Sequence, residues 1–121
     1  MYNVKAMYRN YLPLPSVSGV YSIEHQPSGR LYIGSTTDFV RRRRAHKRAL
    51  ARGVHPNREL QAAYNADGLK SLLFEPLAVC LRSERQQREN EIIRLFSPSF
   101  LFNSNCIAGR KTRLIIDWSS R

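Results

Sequence analysis

The chain has 121 residues, which bounds it to one domain with one modest core and leaves no room for a catalytic domain plus a full recognition domain. Lys and Arg number 20 against 9 Asp and Glu, a formal net charge of +11, so the surface repels itself and is drawn to polyanions, with nucleic acid the expected partner. No run approaches the ~18 apolar residues of a spanning helix, the first residues lack the apolar stretch of a signal peptide and no basic amphipathic helix with an aromatic face stands out, so no membrane is expected and the expected location is intracellular and cytoplasmic.

Residues 1–16 contain Pro13 and Pro15 and little periodicity, and read as an N-terminal arm. Residues 19–24 and 31–34 are rich in Val, Ile, Leu and Tyr. The turn signal Gln26-Pro27-Ser28-Gly29 lies between them, so the two runs form a β-hairpin. Asp38 follows Thr36 and Thr37 as the N-cap of a helix running to about 52, and Gly53 ends it. A second helix spans 57–66, with Asp67-Gly68 as its stop. Residues 71–80 read as a strand that Pro76 makes an edge strand or bends. A third helix covers 83–96 and stops before Pro98. Residues 106–121 form a short basic tail carrying Arg110, Lys111 and Arg113. The order β-β-α-α-β-α implies an α+β (mixed α/β) fold, a small central antiparallel sheet of about three strands flanked by helices. Cys80 and Cys106 make no metal-ligand spacing with the histidines and read as free thiols.

Helical phase divides the arginine run Arg41-Arg42-Arg43-Arg44. At ~100° per residue, Phe39, Arg42, Arg43, His46, Ala49 and Leu50 share one side, and Arg41, Arg44, Arg48 and Arg52 the other. The apolar side must meet the core, so Arg42 and His46 point inward or to the rim, toward the sheet that carries Tyr21 and Tyr32. An inward arginine costs too much without an anionic partner or a task. The outer arginines fit nonspecific phosphate contacts or solvation. In the third helix Ile92, Ile93 and Phe96 fall on the side of Glu89. A carboxylate in an apolar stripe needs a partner, either a structural salt bridge to Arg42 or a metal ion.

These residues bring a resemblance. Gly19-Val20-Tyr21 and Tyr32-Ile33-Gly34, the second followed by Ser35-Thr36, resemble the two named motifs of the GIY-YIG nucleases, and most closely the small catalytic domains of phage-type and intron-encoded homing endonucleases. Val20 stands for the usual Ile. Arg42 falls where that family keeps its catalytic arginine, and His46 where it keeps a His or Tyr. His55 matches a loop histidine of some homing members, Arg88-Glu89-Asn90 the third-helix motif, and Asn103 the late asparagine. The resemblance covers residues 17–105. Glu91 and Ile92 replace aromatic residues often found after the glutamate, which affects packing more than chemistry. No long C-terminal recognition region follows, so extended site recognition is not expected.

The resemblance implies a freestanding, divalent-metal-dependent DNA endonuclease of phage or mobile-element type, with catalytic residues Tyr21, Tyr32, Arg42, His46, Glu89 and Asn103. Glu89 would hold one Mg²⁺ or Mn²⁺. Arg42 would bind the scissile phosphate, Tyr21 take the proton of water, Tyr32 position the water, and His46 share in proton transfer. Asn103 would hold Glu89 or the first strands. Arg41, Arg44, Lys47, Arg48, His55, Arg110, Lys111 and Arg113 are the expected DNA contacts, on single- or double-stranded substrate, with targeting by a partner protein open. The competing expectations are a nucleic-acid-binding module or scaffold that kept the fold without cutting.

Overall fold

The computed structural model describes residues 17–102; the expected arm at 1–16 and the tail at 106–121, with Cys106, Asn103, Arg110, Lys111 and Arg113, lie outside the described residues. Strands β1 (Gly19–His25) and β2 (Arg30–Thr36) form the expected antiparallel hairpin, from Gly19↔Thr36 to His25↔Arg30. Strand β3 (Leu72–Val79) pairs antiparallel with the other side of β1, giving the order β2-β1-β3. The central strand is the one whose residues are nearly all buried. Pro76 has no N–H to donate and sits on the edge strand opposite Tyr21, where the register slips between Val20 and Tyr21.

Helix α1 (Phe39–Arg52) starts where the Asp38 carboxylate accepts the Arg41 N–H at 3.1 Å. It ends at Gly53, which adopts the left-handed φ of 76°. Helix α2 (Arg58–Asp67) is capped by the Asn57 side chain on the Leu60 N–H at 2.9 Å. Helix α3 (Arg85–Ile93) is shorter than the expected 83–96. A 3₁₀ turn at Arg82–Glu84 precedes it, and no side chain caps its start. Beyond Ile93 the chain tightens into three-residue bonds, Leu95 N–H to Ile92 O at 3.0 Å and Phe96 N–H to Ile93 O at 3.1 Å.

Alternation along β1 puts Tyr21, Ile23 and His25 on one face. Tyr21 and Ile23 join Phe39, Leu50, Leu60, Leu72 and Phe102 in the core, with Tyr32, Val40, Ala63, Tyr64 and Phe74 packed around them. Helix α3 lies against β2 and β1. The free side of β2 is covered by a single parallel bridge, Leu31 to Leu101, with the Phe102 N–H donating to Leu31 O at 2.8 Å. The Arg30 guanidinium lies over the Phe102 ring at 4.8 Å and pairs with Glu59 at 2.9 Å. His25 fastens the hairpin turn to the end of α2, with Nδ1 on Ser28 Oγ and Nε2 on Asp67 Oδ2, both at 2.7 Å. Cys80 is a free thiol, and no helix among the described residues is long and apolar enough to cross a membrane.

Candidate active site

The site is built on two missing side chains. Gly34 stands opposite Tyr21, and a Cβ there would lie 2.5 Å from the Tyr21 oxygen and 2.8 Å from Cζ. Only glycine lets the Tyr21 ring lie across β2. A Cβ on Gly19 would run into the carbonyl oxygen of Ala78 and come within 2.8 Å of the Phe39 ring, so that glycine lets β3 and α1 close on the start of β1. With both in place the phenol of Tyr21 reaches α1.

A directed chain of hydrogen bonds converges on it. The Asn57 N–H donates to His55 Nδ1 at 3.0 Å. A neutral His55 therefore carries its proton on Nε2, which donates to His46 Nδ1 at 2.8 Å. His46 in turn carries its proton on Nε2, facing Tyr21 Oη at 2.6 Å. Arg42 Nε–H donates to the same oxygen at 3.4 Å. Tyr21 Oη thus has two donors aimed at it. The rings pack accordingly: His46 and His55 are near-parallel with centroids 5.0 Å apart, and Tyr32 meets His46 and His55 edge-on at 5.2 and 5.9 Å.

Burial and charge keep both imidazoles neutral. Loss of water around His46, then the Arg42 charge and His55, push its pKa down to about 3. Burial and Arg42 lower His55 likewise, against the opposing Asn57 contact. Burial pushes the Tyr21 phenol well up and Tyr32 adds to it, while the Arg42 guanidinium works the other way. Burial disfavours charge on Arg42, but the two tyrosine oxygens outweigh it and its pKa rises.

Glu89 is half-buried on α3, close enough for its charge to oppose ionisation of Tyr21. Arg42 bonds to the oxygens of Tyr21 and Tyr32. No group of three or more His, Cys, Asp or Glu that could hold a metal occurs among the described residues. The two site histidines are bonded to one another and to Tyr21, which leaves them unsuited as ligands. The donor set therefore fits a hard ion that keeps most of its water and takes a single carboxylate, not a protein cage.

Tyr21, Tyr32, Arg42 and His46 come together as expected, with His46 and Tyr21 buried and Arg42 at the rim. His55, expected on DNA, is instead 7% exposed and lies behind Tyr32 and His46. Its place is fixed because the Gln61 side chain accepts its N–H at 2.9 Å and donates to Leu50 O at 3.0 Å. Arg41, Arg44 and Arg48 are exposed and Lys47 is half-exposed. The sequence reading missed Gln61, buried on α2 beside Leu60, and Glu75, 3% exposed in a crevice with Tyr21, Arg42 and Arg43. It also missed Arg85, which faces α1 across a groove.

Comparison with known proteins finds nucleases with this fold. The intron-associated endonuclease 1 of Enterobacteria phage T4 is 35% identical over 51 residues, which is 42% of this chain and 21% of that protein. The match therefore spans about a fifth of that relative's length. A single-residue variant of the catalytic domain of intron endonuclease I-TevI superposes with a TM-score of 0.65 at 27% identity, covering 71% of this chain and 91% of that one. A second structure, of the catalytic domain of homing endonuclease I-TevI, shares the fold with a TM-score of 0.64 at 24% identity, over 72% of this chain and 99% of that one. The GIY-YIG catalytic domain model matches residues 17–103. The span of that match takes in both tyrosine strands and all three helices, and the chain belongs to the GIY-YIG nuclease family.

Proposed function

We propose that the protein is a divalent-metal-dependent endonuclease that hydrolyses DNA phosphodiester bonds. The observation that carries this reading is the Tyr21 oxygen, held between the His46 N–H at 2.6 Å and the Arg42 N–H at 3.4 Å. A phenol that packs for shape alone needs one partner; two donors, one of them carrying the Arg42 charge, work against the burial that otherwise holds the phenol neutral. Tyr21 then accepts the proton of the attacking water. His46 supports it by donation, since the order of the chain leaves its Nε2 protonated. Tyr32, edge-on to both histidines, orients the water. Arg42 spends its Nε–H on Tyr21 and also bonds the Tyr32 oxygen, and its remaining N–H groups would bind the scissile phosphate. Mg²⁺ or Mn²⁺ bound at Glu89 would supply positive charge at the phosphate and the leaving oxygen. Asn103 follows directly on Phe102 and is assigned a supporting role by the family pattern alone.

The test is cleavage of supercoiled plasmid with Mg²⁺ or Mn²⁺ by the wild type beside Glu89→Ala and Tyr21→Phe. Nicking or linearisation by the wild type, reduced at least about 10²-fold in both variants, is expected. Equal nicking by wild type and Glu89→Ala overturns the reading. Retention of plasmid on the protein without cutting, under either metal, identifies a binding module in its place.

A further inference from the structure

We infer that one DNA strand is seated in the groove between α1 and α3, with Arg48 and Arg85 holding backbone phosphates on either side of its path. The inference rests on the nuclease reading and names the track the substrate takes. The groove holds about 460 Å³ and is lined by Ser35 and Thr37, by Arg41, Arg42 and Arg48 of α1, and by Arg85 of α3. Every charged group in it is a guanidinium, and among the described residues no carboxylate pairs with Arg41, Arg48 or Arg85. A concavity with that much uncompensated charge focuses its field on an anion.

The spacing matches a strand better than a single phosphate. Arg41 and Arg48 lie seven residues apart on one stripe of α1, about 10 Å along its axis. A nucleic-acid strand carries a charge roughly every 3.4 Å of axis, so the stripe accommodates about three steps. Ala45 lies between them and leaves the floor low. The hydroxyls of Ser35 and Thr37 suit phosphate oxygens that arginine leaves free. Arg42 belongs both to this groove and to the Tyr21 cluster, so the phosphate it holds is the one beside the phenol. Arg85 is steadied by a bond from Nη1 to Arg82 O at 2.8 Å and stands one helical turn from Glu89. A strand gripped by Arg48 and Arg85 would therefore tie α1 to the helix that carries the metal-binding carboxylate. Arg44, from the same basic run, does not line the groove.

The experiment measures binding of a fluorescent 30-base-pair duplex to the full chain without metal, across a salt series. The chains compared are the wild type, Arg48→Gln/Arg85→Gln, and Arg58→Gln as a single control on the exposed start of α2. Loss of two phosphate contacts lowers the slope of log K against log salt by about 1.8, whereas the control, away from the groove, shifts it by less than about 0.3. Circular dichroism confirms that the variants are folded. A double variant whose slope matches the control overturns the groove while plasmid cutting still stands. A wild type that neither binds nor cuts overturns the groove and the nuclease reading together.

Discussion

At the scale of single residues the molecule turns on the Tyr21 oxygen. Tyr21→Phe keeps the ring in the core but leaves the His46 N–H without its acceptor. We expect cleavage to fall by about 10²-fold or more and stability by about 1–3 kcal/mol, read by plasmid nicking and urea unfolding. Gly34→Ala places a methyl within 2.5 Å of the same oxygen. It should displace the ring, lower cleavage as far as Tyr21→Phe does, and cost about 1–3 kcal/mol. His55→Ala separates two views of that residue. As a link in the chain it lowers cleavage about tenfold or more and leaves the salt slope of DNA binding in place; as a DNA contact it would reduce the slope by about 0.9. Arg42 and His46 were legible in the sequence because a helix has a period and an arginine or histidine on its apolar side is conspicuous, and Tyr21 because its tripeptide stands at close spacing to that of Tyr32 on a hairpin. His55 was not, because a loop residue has no period and its burial depends on Gln61, whose two bonds exist only after α1 and α2 have docked.

At the scale of elements, the link from α1 to α2 carries a pH response. His46 binds a proton in the unfolded chain below about pH 6.5, but burial holds its folded pKa down at about 3. A base with a depressed folded pKa leaves the unfolded state holding more protons. Its contribution is therefore complete above about pH 6.5 and is lost as pH falls toward 3. Lowered His55 has the same sign. Unfolding free energies from urea titrations at pH 7 down to pH 4 should decline, by up to about 1.4 kcal/mol per pH unit from His46, and more shallowly in His46→Gln. Element types and order followed from hydrophobic period and punctuation: Asp38, Gly53, Asn57 and Gly68 bound α1 and α2 as caps. The third helix was overextended because its apolar residues continue to Phe96 at helical spacing. The tightened turn after Ile93 keeps much of that spacing while giving up regular bonds. Pro76 announced an edge strand, but not that its irregularity would fall opposite Tyr21, which is a matter of pairing register.

At the scale of the whole molecule, a net charge of +11 acts in opposite directions on folding and on binding. Screening relieves repulsion within the folded chain, but added salt lowers the free energy gained when DNA sheds its condensed counterions on binding. Raising NaCl from about 50 to 500 mM should therefore raise Tm by about a few degrees while weakening DNA affinity by several hundredfold or more, measured by calorimetry and anisotropy. Excess positive charge pointed to a nucleic-acid partner from composition alone, and the relative it matches is an endonuclease. The groove that organises that charge was not legible, since Arg48 and Arg85 are far apart in sequence and meet only across the packed helices.

The Asn57 N–H at the head of the imidazole chain has a practical consequence for portability. Proton order at Tyr21 is inherited from the main chain of the 53–57 loop, through two rings that merely transmit it. Transplanting the tyrosines, arginine and glutamate onto another scaffold would copy the shape of this centre without its polarity. A working graft has to bring that peptide bond along.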